Sequence, residues 1–133
     1  MYRWIDHTGE LELHVEADSE RAVLEEATRA LSELLHRDEE SVDGEAVTHE
    51  VTIEADDRAV LLAAWLEELV FLAETEATIP EGVRFEVLDG SGLRAHVDRR
   101  RGRPPHLVKA VTYHRLTFDP HGDGWRATVV LDV

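Results

Sequence analysis

The stretch Trp125-Arg126-Ala127-Thr128-Val129-Val130-Leu131-Asp132-Val133 alternates between two sets of side chains with a period of two. Every second residue from Trp125 is apolar, which is typical of a strand with one face against a core. We therefore expect this segment to be paired within a sheet, although chain ends usually fray. It would hold two carboxylates together, the Asp132 side chain and the Val133 α-carboxylate. The pattern is compatible with a cation site and also with a solvated edge strand.

Upstream of this strand, the spacing of apolar residues predicts two helices and six more strands. The first helix is expected over Glu20 to Leu35, and the second from a cap at Asp56 or Asp57 to about Ala77. The element order ββαβαββββ predicts an α+β fold, a two-layer sandwich with two helices packed on a mixed or antiparallel sheet. The strands are expected at Met1 to His7, Leu11 to Val15, Val47 to Ile53, Val83 to Leu88, Leu93 to Asp98, Ala110 to Asp119 and Trp125 to Val133.

Length and charge limit the classes of protein to consider. A chain of 133 residues, 43% of them hydrophobic, is expected to form one domain over residues 1–133. The net charge of -15 would repel a phosphate backbone, so we expect contact with RNA to be only indirect. The basic cluster Arg99 to Arg103 is interpreted as a solvated loop or as a docking site for RNA or an acidic partner. Without cysteine, leader or long apolar run, the chain is expected to be cytoplasmic and outside membranes.

Three segments carry groups capable of chemistry. The turn from Asp6 through His7 to Glu10 combines two carboxylates and an imidazole, which suits a divalent cation or simply a polar turn. Glu68 lies at the margin of the apolar arc of the second helix, where it is expected either to bind a metal or to pair with an arginine or lysine. The segment Lys109 to His114 carries a cation, a phenol and an imidazole, which are suited to anion binding, proton transfer or packing. No nucleophile elbow, phosphate loop or paired-cysteine motif occurs.

Four separated segments resemble motifs of the archease family. Asp6-His7-Thr8-Gly9-Glu10 resembles its N-terminal His-Thr-Ala-Asp motif, and Trp65-Leu66-Glu67-Glu68-Leu69 is similar to its Trp-Leu-Asn-Glu-Leu helix segment. Lys109-Ala110-Val111-Thr112-Tyr113-His114 is similar to its Lys-Ala-Val-Thr-Tyr-His strand, and Leu131-Asp132-Val133 resembles its chain end. The four segments follow the family's order and spacing, so the resemblance covers the whole chain.

The resemblance implies a protein that is not itself an enzyme. Archeases stimulate RNA ligases of the RtcB family, by promoting ligase guanylylation and multiple turnover in tRNA splicing or RNA repair. The family's divalent metal ligands correspond here to Glu10 and Asp132, with the Val133 carboxylate and Asp6 as further ligands. The partner surface is expected to include His7, Glu68, Lys109, Tyr113 and His114.

The chain departs from the family motif at two positions, because Gly9 replaces an alanine and Glu10 replaces an aspartate. The longer Glu10 side chain favours Ca²⁺, which tolerates irregular geometry, over Mg²⁺ or Mn²⁺. Two other functions stay open from the sequence. One is a chaperone-like binding module for tRNA-modifying enzymes such as methyltransferases, and the other is a metal-assisted hydrolase.

Overall fold

The computed structural model describes residues 1–36, 45–102 and 108–133. The element order is the predicted ββαβαββββ, and the α+β class is confirmed. The elements are β1 Tyr2–His7, β2 Glu10–Ala17, α1 Glu20–Leu35, β3 Ala46–Glu54, α2 Arg58–Thr75, β4 Thr78–Asp89, β5 Gly92–Arg101, β6 Ala110–His121 and β7 Gly124–Asp132.

The strands form two antiparallel sheets instead of one. The first sheet has four strands in the order β1-β2-β7-β6, and the second has three in the order β3-β5-β4. Each helix contacts both sheets, since α1 packs against β2 and β4 while α2 packs against β6 and β4. Both sheets therefore pack against the helix pair. In α2 the buried residues include the consecutive run Leu61 to Ala63, so more than one side of this helix is covered, as its wide apolar arc predicts.

Side-chain caps fix where the helices begin. The Ser19 hydroxyl accepts from the Ala22 amide at 3.0 Å, and the Asp57 carboxylate accepts from the Val60 amide at 2.9 Å. The predicted bounds of α1 are confirmed. Helix α2 ends at Thr75, two residues before the predicted end, because the chain turns at Ala77 with a left-handed φ of 49°.

A buried hydrogen-bond chain joins the two helices. Trp65 is fully buried, and its indole Nε1 donates to the Thr28 hydroxyl at 2.8 Å. That hydroxyl donates to the Leu24 carbonyl at 2.6 Å. The Trp65 ring also packs against Phe85 of β4, with ring centroids 5.3 Å apart. One residue of the second archease-like segment therefore lies at the centre of the core.

The interpretation of Arg99 to Arg103 as a solvated loop is wrong for its first three residues, which belong to β5. Arg99 is only 3% exposed, and it donates to Glu76 at 2.6 Å and to the Thr78 hydroxyl at 2.8 Å. A charged side chain is buried in a strand only when such partners compensate it, and sequence periodicity does not reveal those partners. Arg103 lies outside the described residues.

Candidate functional site

The two acidic segments meet at one end of the four-stranded sheet. Glu10 of β2 is directly opposite Asp132 of β7, which lies 122 positions later in the chain, and Ala110 of β6 is opposite Asp132 on its other side. The Asp132 carbonyl accepts from the Lys109 amide at 2.7 Å, and the Val133 amide donates to the Gly9 carbonyl at 3.0 Å. These bonds hold the end of β7 between its two neighbours. We call Glu10, Asp132 and Val133, with the residues hydrogen-bonded to them, the acidic edge.

A glycine completes the turn that starts this edge. Gly9 adopts a positive φ of 73°, in the left-handed region that favours glycine. It lies in the tight connection between β1 and β2, where His7 pairs with Glu10. Glycine in place of the family's alanine therefore suits the backbone here.

Strand register separates the predicted metal ligands onto two faces. Residues paired across a ladder project to the same side of a sheet, so His7, Glu10 and Asp132 share the face turned away from the core. Asp6 pairs with Leu11, which packs towards the core, and therefore belongs to the opposite face. Within the described residues, no group of three His, Asp or Glu side chains is placed to hold one metal ion. The metal-binding role of Asp6, Glu10, Asp132 and Val133 stays a prediction.

Arg115 neutralises one of the two carboxylates. Its Nη2 atom lies 3.2 Å from Glu10 Oε2, and its Nε atom lies 2.9 Å from Glu12 Oε1. Arg115 has a left-handed φ of 56° and lies in a bulge of β6 in which residues 113–116 are opposite Val129 alone. Bulges re-aim side chains, and this one lets Arg115 cross β7 to reach β2.

Glu12 is the centre of a larger charged group that sequence analysis missed. Its carboxylate lies 2.5 Å from His14 Nε2, 3.6 Å from His7 Nε2 and 2.9 Å from Arg115, while its side chain is only 12% exposed. The His14 hydrogen bond and then Arg115 outweigh the effect of burial and hold the pKa of Glu12 below its ordinary value. The signal was available, because Glu12 and His14 alternate with Leu11 and Leu13 and so share the face of Glu10.

The proposed partner residues fall into two groups. Lys109 belongs to the acidic edge, and its side chain is exposed. Tyr113 and His114 are exposed in the β6 bulge, and the bulge ends the strict alternation predicted for this strand after Thr112.

Two glutamates of α2 behave differently from expectation. Glu68 is half-buried, but in the described part of the chain it makes none of the ion pairs expected for it. Its neighbour Glu67, expected on the far side of the helix, faces Tyr113. Desolvation of the phenol, then the charge of Glu67 and a hydrogen bond to it, raise the pKa of Tyr113.

Comparison with known proteins decides the family. The model of the Archease protein family matches residues 2–133. The chain belongs to the archease family. Its archease relatives include protein archease of Archaeoglobus fulgidus, 31% identical over 139 residues that cover 99% of this chain and 98% of that protein. Protein archease of Methanopyrus kandleri is 33% identical over 142 residues, covering 97% and 96% of the two chains.

Solved structures share the fold. The solution structure of protein 1598 from Methanobacterium thermoautotrophicum has a TM-score of 0.68 and 25% identity, covering 99% of this chain and 98% of that one. The crystal structure of an archease from Thermotoga maritima, described as a possible chaperone, has a TM-score of 0.64 and 22% identity, covering 100% and 98%. Neither α1 nor α2 is long and apolar enough to span a membrane.

The donor set of this archease suits a divalent cation only in part. Glu10 and Asp132 offer two carboxylates side by side, the kind of oxygen ligand that Ca²⁺, Mg²⁺ and Mn²⁺ prefer. Glu10 also pairs with the Arg115 guanidinium, and a bound cation would have to displace that side chain from Glu10. The acidic edge can therefore supply a two-carboxylate platform, and further ligands would come from water, the Val133 carboxylate or a partner.

Proposed function

We propose that this archease is a non-enzymatic protein cofactor that activates an RtcB-type RNA ligase, by promoting guanylylation of the ligase and its multiple turnover. Membership of the family and the four archease-like segments support this role. The observation that carries it is the pairing of Glu10 with Asp132, which joins the first and last of those segments at one edge. A protein of this function would work in the cytoplasm beside its ligase and would contact RNA only through it.

In this proposal a divalent ion is held by Glu10 and Asp132. The bound ion would supply a concentrated positive charge at the acidic edge. A protein with a net charge of -15 repels another acidic surface, and an ion shared by two sets of carboxylates would offset that repulsion. Ca²⁺, the ion favoured from the sequence, takes six to eight oxygen ligands, whereas Mg²⁺ commonly keeps several waters and uses one or two carboxylates. Titration of each ion separates these possibilities.

The exposed residues near the acidic edge would contact the ligase. The Lys109 amide donates to the Asp132 carbonyl, and the Lys109 side chain is exposed. Tyr113, four residues later in the chain, is 54% exposed. Tyrosine is enriched among the residues that dominate the binding energy of protein interfaces, whereas lysine is more common at their polar rim. His7 and His114 would extend the same surface.

Ligase activation tests the proposal directly. The ligase is incubated with GTP and Mn²⁺, and its guanylylation and number of turnovers are measured with and without this protein. Wild type should raise both, and Asp132→Asn should lose most of the effect. Asp123→Asn is the matched control, since Asp123 is an exposed aspartate in the hairpin at the other end of the same sheet. Absence of stimulation by wild type, or equal stimulation by Asp132→Asn, would contradict the proposal.

A chaperone-like module for tRNA-modifying enzymes is the second candidate. The Thermotoga maritima archease is described as a possible chaperone, and in this chain Phe71 is 57% exposed on α2, the helix that carries Glu67 and packs against β6. Such a module needs no metal. Affinity purification from the native cell, with and without a chelator, separates the two functions. A ligase that is lost with chelator supports the first, and a methyltransferase retained with chelator supports the second.

A further inference from the structure

A second site is suggested by a cavity of about 530 Å³ on the outer face of the four-stranded sheet. One row of paired residues crosses all four strands of this sheet. Arg3 of β1 pairs with His14 of β2, His14 pairs with Thr128 of β7, and Thr128 pairs with Thr117 of β6. All four line the cavity, together with Arg126, which lies two residues before Thr128 in β7. The cavity is separate from the acidic edge, since neither Glu10 nor Asp132 lines it.

Neither arginine of this cavity has a carboxylate within ion-pair distance among the described residues, although Glu16 of β2 and Asp119 of β6 are directly opposite Arg126 in the sheet. Elsewhere in the described chain, seven arginines pair with glutamates, in keeping with the excess of 29 acidic over 14 basic residues. Neither Arg3 nor Arg126 has an ion pair or a side-chain hydrogen bond to any described residue, and both are exposed. Both guanidinium groups are therefore available to an anion from solution, Arg3 without an acidic neighbour across the ladder and Arg126 in competition with Glu16 and Asp119.

The remaining polar groups define which anion fits. The Thr117 and Thr128 hydroxyls can donate to an oxyanion, whereas His14 already contacts Glu12 at 2.5 Å. Guanidinium forks match phosphate oxygens, and the two arginines, less the one carboxylate of Glu16, offset part of the charge of about -1.5 to -2 that a phosphomonoester carries at pH 7. Glu16 also lines the cavity, directly opposite Arg126 but without an ion pair in the described chain, so its carboxylate can accept from a hydroxyl group of the ligand.

We propose that this cavity binds a phosphomonoester whose organic part carries hydroxyl groups, such as a sugar phosphate. Arg3 and Arg126 hold the phosphate, the two threonines donate to it, and Glu16 accepts from the sugar. A volume of about 530 Å³ is in the range of small-molecule sites and exceeds what a bare phosphate needs. The site shares no residue with the acidic edge, and the two are connected only through His14, whose partner Glu12 shares Arg115 with Glu10.

Calorimetric titration of the full chain with ribose 5-phosphate, ribose and inorganic phosphate at low salt tests this site. Ribose 5-phosphate should bind, more tightly than inorganic phosphate, and ribose should not. Arg3→Gln and Arg126→Gln should each weaken binding about tenfold or more, the loss expected for one charge-assisted hydrogen bond. Arg84→Gln is the matched control, because Arg84 is an exposed arginine on the three-stranded sheet with no partner in the described chain. The Arg84→Gln variant should bind ribose 5-phosphate with an affinity within twofold of wild type.

Three results would overturn the site. The first is no binding of ribose 5-phosphate to wild type at millimolar concentration. The second is an equal loss of affinity in Arg84→Gln and Arg3→Gln, which would indicate attraction by net charge alone. The third is equal affinity for inorganic phosphate and ribose 5-phosphate, which would remove the role of the sugar. Thermal unfolding of each variant checks that it is folded, and both cavity arginines are exposed enough for glutamine to be tolerated.

Discussion

Arg115 of β6 reaches across β7 and donates to Glu10 of β2, with Nη2 3.2 Å from Oε2. The same guanidinium also binds Glu12 at 2.9 Å. The carboxylate assigned to a metal by the archease resemblance is therefore already paired with a cation. Both members of the pair are a third or more exposed, so the ion pair contributes little to stability, and its main effect is on what else can bind Glu10.

Removing this competing cation should strengthen metal binding. We expect Arg115→Gln to bind Mg²⁺, Mn²⁺ or Ca²⁺ about three- to fivefold more tightly than wild type, since a nearby charge at an exposed site is worth up to roughly 1 kcal/mol. Calorimetric titration measures the affinity. Arg84→Gln changes the net charge equally at a distant site and should change affinity less than twofold. Equal gains in the two variants would show that only overall charge matters.

Register predicts which aspartates take part. Asp132→Asn should abolish most divalent-cation binding, because Asp132 shares a face with Glu10, whereas Asp6→Asn should leave affinity within about twofold, because Asp6 pairs with Leu11 on the other face. The same titration, run on both variants and on Glu10→Gln, provides the measurement. If Asp6→Asn is as damaging as Asp132→Asn, the separation of the two faces does not govern binding.

Sequence periodicity predicted the helices and strands, but it did not predict how the strands pair or which side chains meet. The alternation in β2 and β7 predicted both strands, and the motif order predicted that their acidic ends belong together. Sequence periodicity did not predict the β6 bulge, because three additional residues opposite Val129 leave no periodic signal. The contact between Arg115 and Glu10 depends on that bulge and was therefore missed as well. The split into two sheets was missed for a similar reason, since hydrogen-bond pairing between strands distant in sequence is not encoded in local spacing.

Acid should selectively remove the contribution of Glu12. Its pKa is lowered in the folded protein, mainly by the His14 hydrogen bond, so its stabilisation is complete above the pKa of the unfolded chain and is lost as pH falls through the folded value. We expect Glu12→Gln to reduce the free energy of unfolding by about 1–3 kcal/mol at pH 7, with the difference shrinking below about pH 4.3. Urea unfolding across this range measures it. Glu16→Gln, on the same strand but exposed, should show no such trend.

The contact between Glu67 and Tyr113 should be visible in the titration of the phenol. Desolvation and Glu67 raise the pKa of Tyr113, so Glu67→Gln should lower that pKa towards its ordinary value. The chain has two tyrosines, and a Tyr2→Phe background isolates the tyrosinate absorbance of Tyr113. Glu74→Gln serves as the control, because Glu74 is an exposed glutamate about two turns further along α2. An unchanged pKa in Glu67→Gln would show that desolvation alone is responsible.

The buried bond between Trp65 and Thr28 should couple the two helices. Thr28→Val keeps the side-chain shape but removes the acceptor of the indole N–H, and at a fully buried Trp65 an unpaired donor costs about 1–3 kcal/mol. In a Trp65→Phe background that N–H is absent, so the same Thr28→Val change should cost less by a similar amount. Urea unfolding of the four proteins gives the coupling energy. A coupling near zero would mean that Thr28 acts only through its bond to the Leu24 carbonyl, which is lost in both backgrounds.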